Sequence, residues 1–282
     1  MKTTFKTVLL IALISFFTGC GGGGGGSSEP TPPPDPDTVD FGAGAVIITR
    51  NIGSPSDFTD AKTEIEGATG NFVLNITGDV DIEDTTYIEP HADTNISLRG
   101  GGTLYLSTGK DGLFWLAQSE SKLILRDTTL KGNTGNQYEL VGVDSDSASF
   151  IMYGGTITGN TASYVGSGGG VSVYTGSFTM SGGTISGNIA ISYGGGVYVR
   201  SGTFTMSGGT ISDNSASTSG GGVYVDDDEG GTFTKTGGTI YGSNANPASL
   251  KNSAGGDTQG HAVFVGGSGA AINSATPPLE RV

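Results

Sequence analysis

Cysteine occurs once in the 282 residues, at Cys20, so the chain can form no internal disulfide and must draw its stability from packing. Histidine occurs twice, as His91 and His261, near the two ends of the patterned region. That separation leaves no support for a metal–histidine cluster or a Ser-His-Asp triad, and neither a metal nor a cofactor is expected. Basic residues are scarce, 13 against 27 acidic ones, for a net charge of −14. Nucleic acid and anionic membrane surfaces are therefore poor partners. Long apolar runs are also missing: residues 8–17 form the clearest one, too short to span a bilayer.

What the chain has in abundance is glycine, 52 residues, and a repeat built around it. Residues 177–188 read SFTMSGGTISGN and return nearly unchanged at 202–214. Worn copies stand at 122–133, 149–160 and 231–243. The first apolar residues of successive copies are Phe72, Ile96, Leu123, Phe150, Phe178, Phe204 and Phe233, at intervals of 24, 27, 27, 28, 26 and 29 residues. A period of that size marks a repeat architecture.

Inside each copy the apolar residues alternate (Phe178 and Met180, Phe204 and Met206, Leu123 and Leu125), which is strand periodicity with one buried face. A Gly-Gly pair follows, then Thr-Ile with Ile157, Ile185, Ile211 and Ile240 in one column. Asn133, Asn160, Asn188 and Asn214 form the next column, with Ser243 where a last Asn is due. Asparagine tolerates a left-handed backbone and bonds neighbouring peptide groups, which suits a corner. Gly-Gly-Gly-Val-x-Val at 168–173, 194–199 and 220–225, with a variant at 260–265, supplies a third side. Three short strands per coil cannot bury a face alone, but stacked coils can. The pattern predicts an all-β, parallel β-helix of about seven to eight coils over residues 72–265, right-handed because parallel crossovers are.

The flanks complete the domain plan. Residues 1–20 have a basic start (Lys2, Lys6), the apolar run and Phe17-Thr18-Gly19-Cys20, the layout of a secretory signal. Residues 21–40 hold six consecutive glycines and then a proline-rich run, a tether with nothing to fold around. Loss of residues 1–19 would take the net charge from −14 to −16. Residues 41–71 read as an N-terminal cap. Residues 45–49 (AVIIT) suit a strand, and 54–67 an amphipathic helix with Phe58, Ala61 and Ile65 on one face and Ser56 or Asp57 as its cap. Residues 244–257 are expected to bulge as a loop, and 266–282 to form a frayed tail.

The GGGV-x-V and T-I-x-x-N motifs resemble those of bacterial right-handed β-helix repeat proteins of the pectin-lyase-like kind. They are also similar to the GGAI and FxxN repeats of polymorphic outer-membrane proteins, with Gly-Val here for Ala-Ile and Ile or Leu for Phe. The last four residues of the signal resemble a bacterial lipobox, with Phe17 in place of the usual Leu, which implies that Cys20 carries lipid. These resemblances imply an exported protein anchored through N-terminal lipid at a bacterial outer membrane or cell surface. A surface protein or a polysaccharide is the implied partner, and the implied role is structural, adhesive or binding. The alternative is a polysaccharide lyase or glycoside hydrolase, or a degenerate glycan binder.

Pectin hydrolases of similar shape place Asn-Thr-Asp, Asp-Asp, Gly-His-Gly and Arg-Ile-Lys motifs on neighbouring coils, the acids supplying paired acid and base roles. Only Gly260-His261-Ala262 and the Asp-Asp inside residues 226–229 come near them. Lyases of this shape use calcium and a basic residue, but Arg200, Lys235 and Lys251 share no repeat position, and Arg99 and Arg126 sit side by side amid acids. No catalytic residues are therefore assigned. Asp226, Asp227, Asp228 and Glu229 lack a calcium-loop spacing and read as a solvated turn. If Val171, Val197, Val223 and Val263 point inward, then Ser172, Tyr198, Tyr224 and Phe264 point outward, as does Trp115. Trp115, Tyr198, Tyr224 and Phe264 are thus the candidate binding residues. They serve either to stack sugar rings or to cover one another, with Gly142 and Ser172 interrupting the row.

Overall fold

A computed structural model describes residues 41, 45–83, 87–255 and 260–266, and the backbone of 272–274. The expected signal (1–20), its lipidated Cys20 and the tether (21–40) lie outside these residues. From Ile47 onward the described residues form an all-β parallel solenoid of about seven turns. The apolar residues aligned by sequence are true neighbours: Phe72 pairs with Ile96, Ile96 with Leu123, Leu123 with Phe150, Phe150 with Phe178, Phe178 with Phe204 and Phe204 with Phe233. Their strands belong to a nine-stranded first sheet running from Ile47–Ile52 to Ile272–Ser274. The stack therefore begins one strand before Phe72, and a strand within 266–282 rejoins it. A seven-stranded second sheet carries the Thr-Ile strands, and a six-stranded third sheet carries the Val-x-Val strands.

Between the second and third sheets lies a side the sequence pattern did not predict. Thr161–Ala162, Ile189–Ala190 and Ser215–Ala216 pair as a narrow three-stranded sheet, so these coils have four sides. Two-residue strands are too short to leave an alternation in the sequence.

The core is a set of columns running along the stack. Phe150, Phe178, Phe204 and Phe233 are fully buried, with ring centroids 4.7, 4.7 and 4.9 Å apart and nearly parallel planes. Strand spacing fixes that separation, so the rings stack face over face where free pairs favour offset or edge contacts. Met152, Met180 and Met206 form the next column, ended by Lys235 in register with Met206. The second glycine of each Gly-Gly pair is left-handed (Gly183 φ 81°, Gly209 φ 82°), and a Cβ there would come within 2.5 Å of a methionine Cε.

The corner after the Thr-Ile strand departs from expectation. The left-handed residue is the one before the asparagine: Gly159, Gly187 or Asp213. Asn160, Asn188 and Asn214 themselves are buried and hydrogen-bonded from coil to coil. Asn188 Nδ2 donates to Ile157 O at 3.0 Å, and Asn214 Oδ1 accepts from Asn188 N at 3.0 Å. The ladder's first rung is Asn136, not Asn133, which bonds the Tyr105 hydroxyl instead. Its last rung is Asn252, whose Oδ1 accepts from Asn214 N at 2.8 Å. The segment expected to bulge at 244–257 thus returns an asparagine to the place left by Ser243.

Helix α1 (Pro55–Gly67) follows the first strand and turns Phe58, Ala61 and Ile65 into the core. Its cap is Ser54, whose Oγ accepts from Asp57 N at 3.3 Å, while the Asp57 carboxylate accepts from Gly53 N at 3.1 Å. Pro55 takes the first helical position, which places the cap ahead of the predicted Ser56 or Asp57. No described helix is long and apolar enough to cross a membrane.

Candidate functional site

The outer column of the third sheet runs Trp115, Gly142, Ser172, Tyr198, Tyr224, Phe264 in register. Glu89 precedes Trp115, because the bridge Ile88–Phe114 puts Glu89 beside it on the coil before. Along this column the regular and irregular coils behave differently.

In the regular coils the outward tyrosines are covered. Tyr198 and Tyr224 are only 5% and 8% exposed, with centroids 5.7 Å apart. Tyr193 packs on Tyr224 at 4.4 Å, and Phe264 stacks on Tyr224 at 5.7 Å. Burial pushes both phenols up to about 12. These rings shield one another and the backbone beneath them. The expected gap at Gly142 and Ser172 is bridged from outside the column by Tyr174, 5.4 Å from Trp115 and 6.3 Å from Tyr198.

In the irregular coils the aromatics open into a cleft. Trp115 is half-buried, and Tyr87 lies 5.5 Å from it at an interplanar angle of 46°. Tyr138 lies 6.5 Å from Tyr87 and packs against Tyr164 at 4.9 Å with the rings tilted by 39°. Tyr87, Glu89, Asp111, Trp115 and Tyr138 enclose a cleft of about 290 Å³. A second cleft of about 480 Å³ shares Tyr87 and Glu89 and extends to Lys62, Glu66, His91 and Gln118. The shared strip is tied to α1: Lys62 Nζ donates to Tyr87 O at 2.7 Å, and Glu66 Oε1 accepts from Glu89 N at 3.1 Å.

Two glycines seat the rings. A Cβ on Gly142 would lie 2.4 Å from the Trp115 ring, and one on Gly112 would lie 2.1 Å from the Tyr87 ring. Gly142 is therefore the place where the Trp115 ring packs closely on the backbone, and no missing aromatic need be sought there.

Behind this wall is a fully buried carboxyl, Glu139. Its Oε2 accepts hydrogen bonds from Ser167 Oγ and, at 3.4 Å, from Tyr174 Oη, while Oε1 has no hydrogen-bond partner. Burial raises its pKa to about 7 against the opposing hydrogen bond from Ser167. Burial, with the Glu139 charge second, also raises the Tyr87 and Tyr174 phenols.

Of the four residues expected to bind, the structure places Trp115 in the cleft and the other three in the covered column. Sequence reasoning missed Tyr87, Tyr138, Tyr174 and Glu139. One signal was available: Tyr138 and Tyr164 stand 26 residues apart, one coil, and their rings are in contact. Elsewhere, Arg126 lies over the Tyr153 ring at 5.2 Å, and Arg200 pairs with Glu229 of the acidic turn at 3.8 Å. His261 Nδ1 accepts from Ala254 N at 3.1 Å. No three His, Cys, Asp or Glu among the described residues are placed to hold a metal ion. Compared with known proteins, the chain matches no family model, no curated protein and no solved structure.

Proposed function

We propose that this chain is an exported, lipid-anchored surface protein whose right-handed solenoid acts by binding, and that it binds a glycan in the cleft of Tyr87, Trp115 and Tyr138. The observation that carries the binding reading is that cleft. Three aromatic rings line it on the coils where the repeat breaks, while in the regular coils the outer column covers its own Tyr198 and Tyr224. Aromatic faces with a few polar groups around them suit sugar rings, which present C–H faces and hydroxyl edges. The anchoring reading rests on the sequence alone: the signal-like 1–20, Cys20 and the tether. On this reading α1 closes the first coil, and the covered column of Tyr198, Tyr224 and Phe264 is structural.

One observation favours a glycan-cleaving enzyme instead: Glu139, whose carboxyl titrates near neutrality as a general acid's does. At 0% exposure, however, it cannot touch a ligand in the cleft. Binding is therefore the stronger reading.

The test is affinity electrophoresis of the full chain in mild detergent through gels containing single polysaccharides, with release of reducing ends followed in parallel. Retardation that Trp115→Ala abolishes and Tyr198→Ala spares is the expected result. Retardation indifferent to Trp115→Ala, or turnover in any gel, overturns it.

A further inference from the structure

We infer that the cleft selects glycans without acid groups, taking neutral chains and taking free-amine sugars more tightly, while excluding uronate and sulfated chains. This rests on the reading that the cleft holds a glycan.

The argument is one of charge placement around the rings. Glu89, exposed, and Asp111, half-buried, line the aromatic cleft, and among the described residues no lysine or arginine does. Among the described residues Lys62 is the only lysine or arginine lining the adjoining cleft, and it is already paired with Glu66 and bonded to Tyr87 O. A ligand spanning both clefts passes Glu89, because both include it. The charge of the whole chain has the same sign, −14, so attraction from a distance also opposes an anion.

The chemistry then sorts ligands. A carboxylate has acceptor sites only, so it receives hydrogen bonds from sugar hydroxyls and more strongly from an ammonium. A uronate or sulfate in the same place offers a charge of like sign and no donor. At contact distance, in a site partly screened from water, like charges repel by more than one stacked ring returns. Selection therefore comes from the acids, while affinity comes from the rings. Arg99, at the end of its first-sheet strand, and Arg126, just past the next one, are not among the residues lining either cleft.

The test measures binding of the full chain in mild detergent to three soluble (1→4)-linked oligosaccharides of equal length, by isothermal titration calorimetry. One carries free amines, one the same amines acetylated, and one a carboxylate on each ring. Expected is binding of the amine and neutral chains, with the carboxylate chain weaker than the amine chain by about 10-fold or more. Glu89→Gln with Asp111→Asn should shrink that ratio to within about 3-fold while leaving the acetylated chain bound. Raised salt should weaken only the amine chain. Equal or tighter binding of the carboxylate chain overturns the charge selection and leaves the binding reading standing. A ratio unmoved by the double substitution overturns the assignment to Glu89 and Asp111. Binding of none of the three by folded protein removes the glycan reading, and the selection with it.

Discussion

Gly142 has no side chain because the Trp115 ring and the Glu139 carboxylate occupy its place, at 2.4 and 2.7 Å from where a Cβ would sit. Gly142→Ala must therefore tilt the indole or push the carboxylate, a small-to-large change in a packed site that costs about 1–3 kcal/mol. The expected outcome is a lowered Tm together with lost glycan retardation, whereas Gly67→Ala, with open space around it, should leave retardation intact. Glu139 gives a second outcome at this scale. An unfolded glutamate titrates near 4.5, and the folded one, held up by desolvation, near about 7. Between those values only the folded state keeps the proton. Stability is thus fully present below about pH 4.5 and declines as pH rises to about 7, by about 3 kcal/mol in all. Glu139→Gln should remove that slope from thermal melts recorded across the window. A slope that persists unchanged places its source in another group. Neither residue was legible from sequence: a glycine in a chain with 52 of them, and a glutamate in an acidic chain, carry no mark of burial.

At the scale of the element, the asparagine ladder shows what a repeat pattern conveys and what it omits. The column itself was readable, because Asn160, Asn188 and Asn214 each stand three residues after the isoleucine of their copy, and the structure joins them by buried hydrogen bonds. Its ends were not. Asn133 and Ser243 stand at the expected positions, but longer turns carry Asn136 and Asn252 into them instead. A pattern match counts residues along the chain, whereas the ladder is set by which amide reaches the next coil's backbone. Asn188→Ala should leave Ile157 O and Asn160 N without their side-chain partners, at a cost of about 2–5 kcal/mol. Asn133→Ala, at a half-buried position off the ladder, should cost under about 1 kcal/mol. Chemical denaturation of the two variants checks the contrast, and equal losses would place Asn133 on the ladder after all. The narrow sheet and the Tyr174 bridge between Trp115 and Tyr198 were hidden for a related reason, being packing between coils with little trace inside one coil.

For the molecule as a whole, the division lies between irregular coils that hold the cleft and regular coils from Ser149 onward that hold the stacked Phe and Met columns. In a linear stack each coil contacts only its neighbours, so stability is roughly additive along it. An extra copy of residues 177–202 placed before Thr203 presents the same Phe, Met and Asn rows to both neighbours. Such a variant is expected to fold, melt at or above the parent's Tm, and retain the parent's glycan specificity. A lowered Tm would show that the columns are not interchangeable. The near-identity of Ser177–Met180 and Thr203–Met206, aligned row for row, has a consequence at the level of heredity. Misaligned recombination between two such segments adds or deletes about 26 residues, one whole coil, and leaves every row closed. The height of the stack, at about 4.8 Å per coil, can then drift between lineages in whole-coil steps while Tyr87, Trp115 and Tyr138, encoded upstream of the exchange, are carried along unaltered.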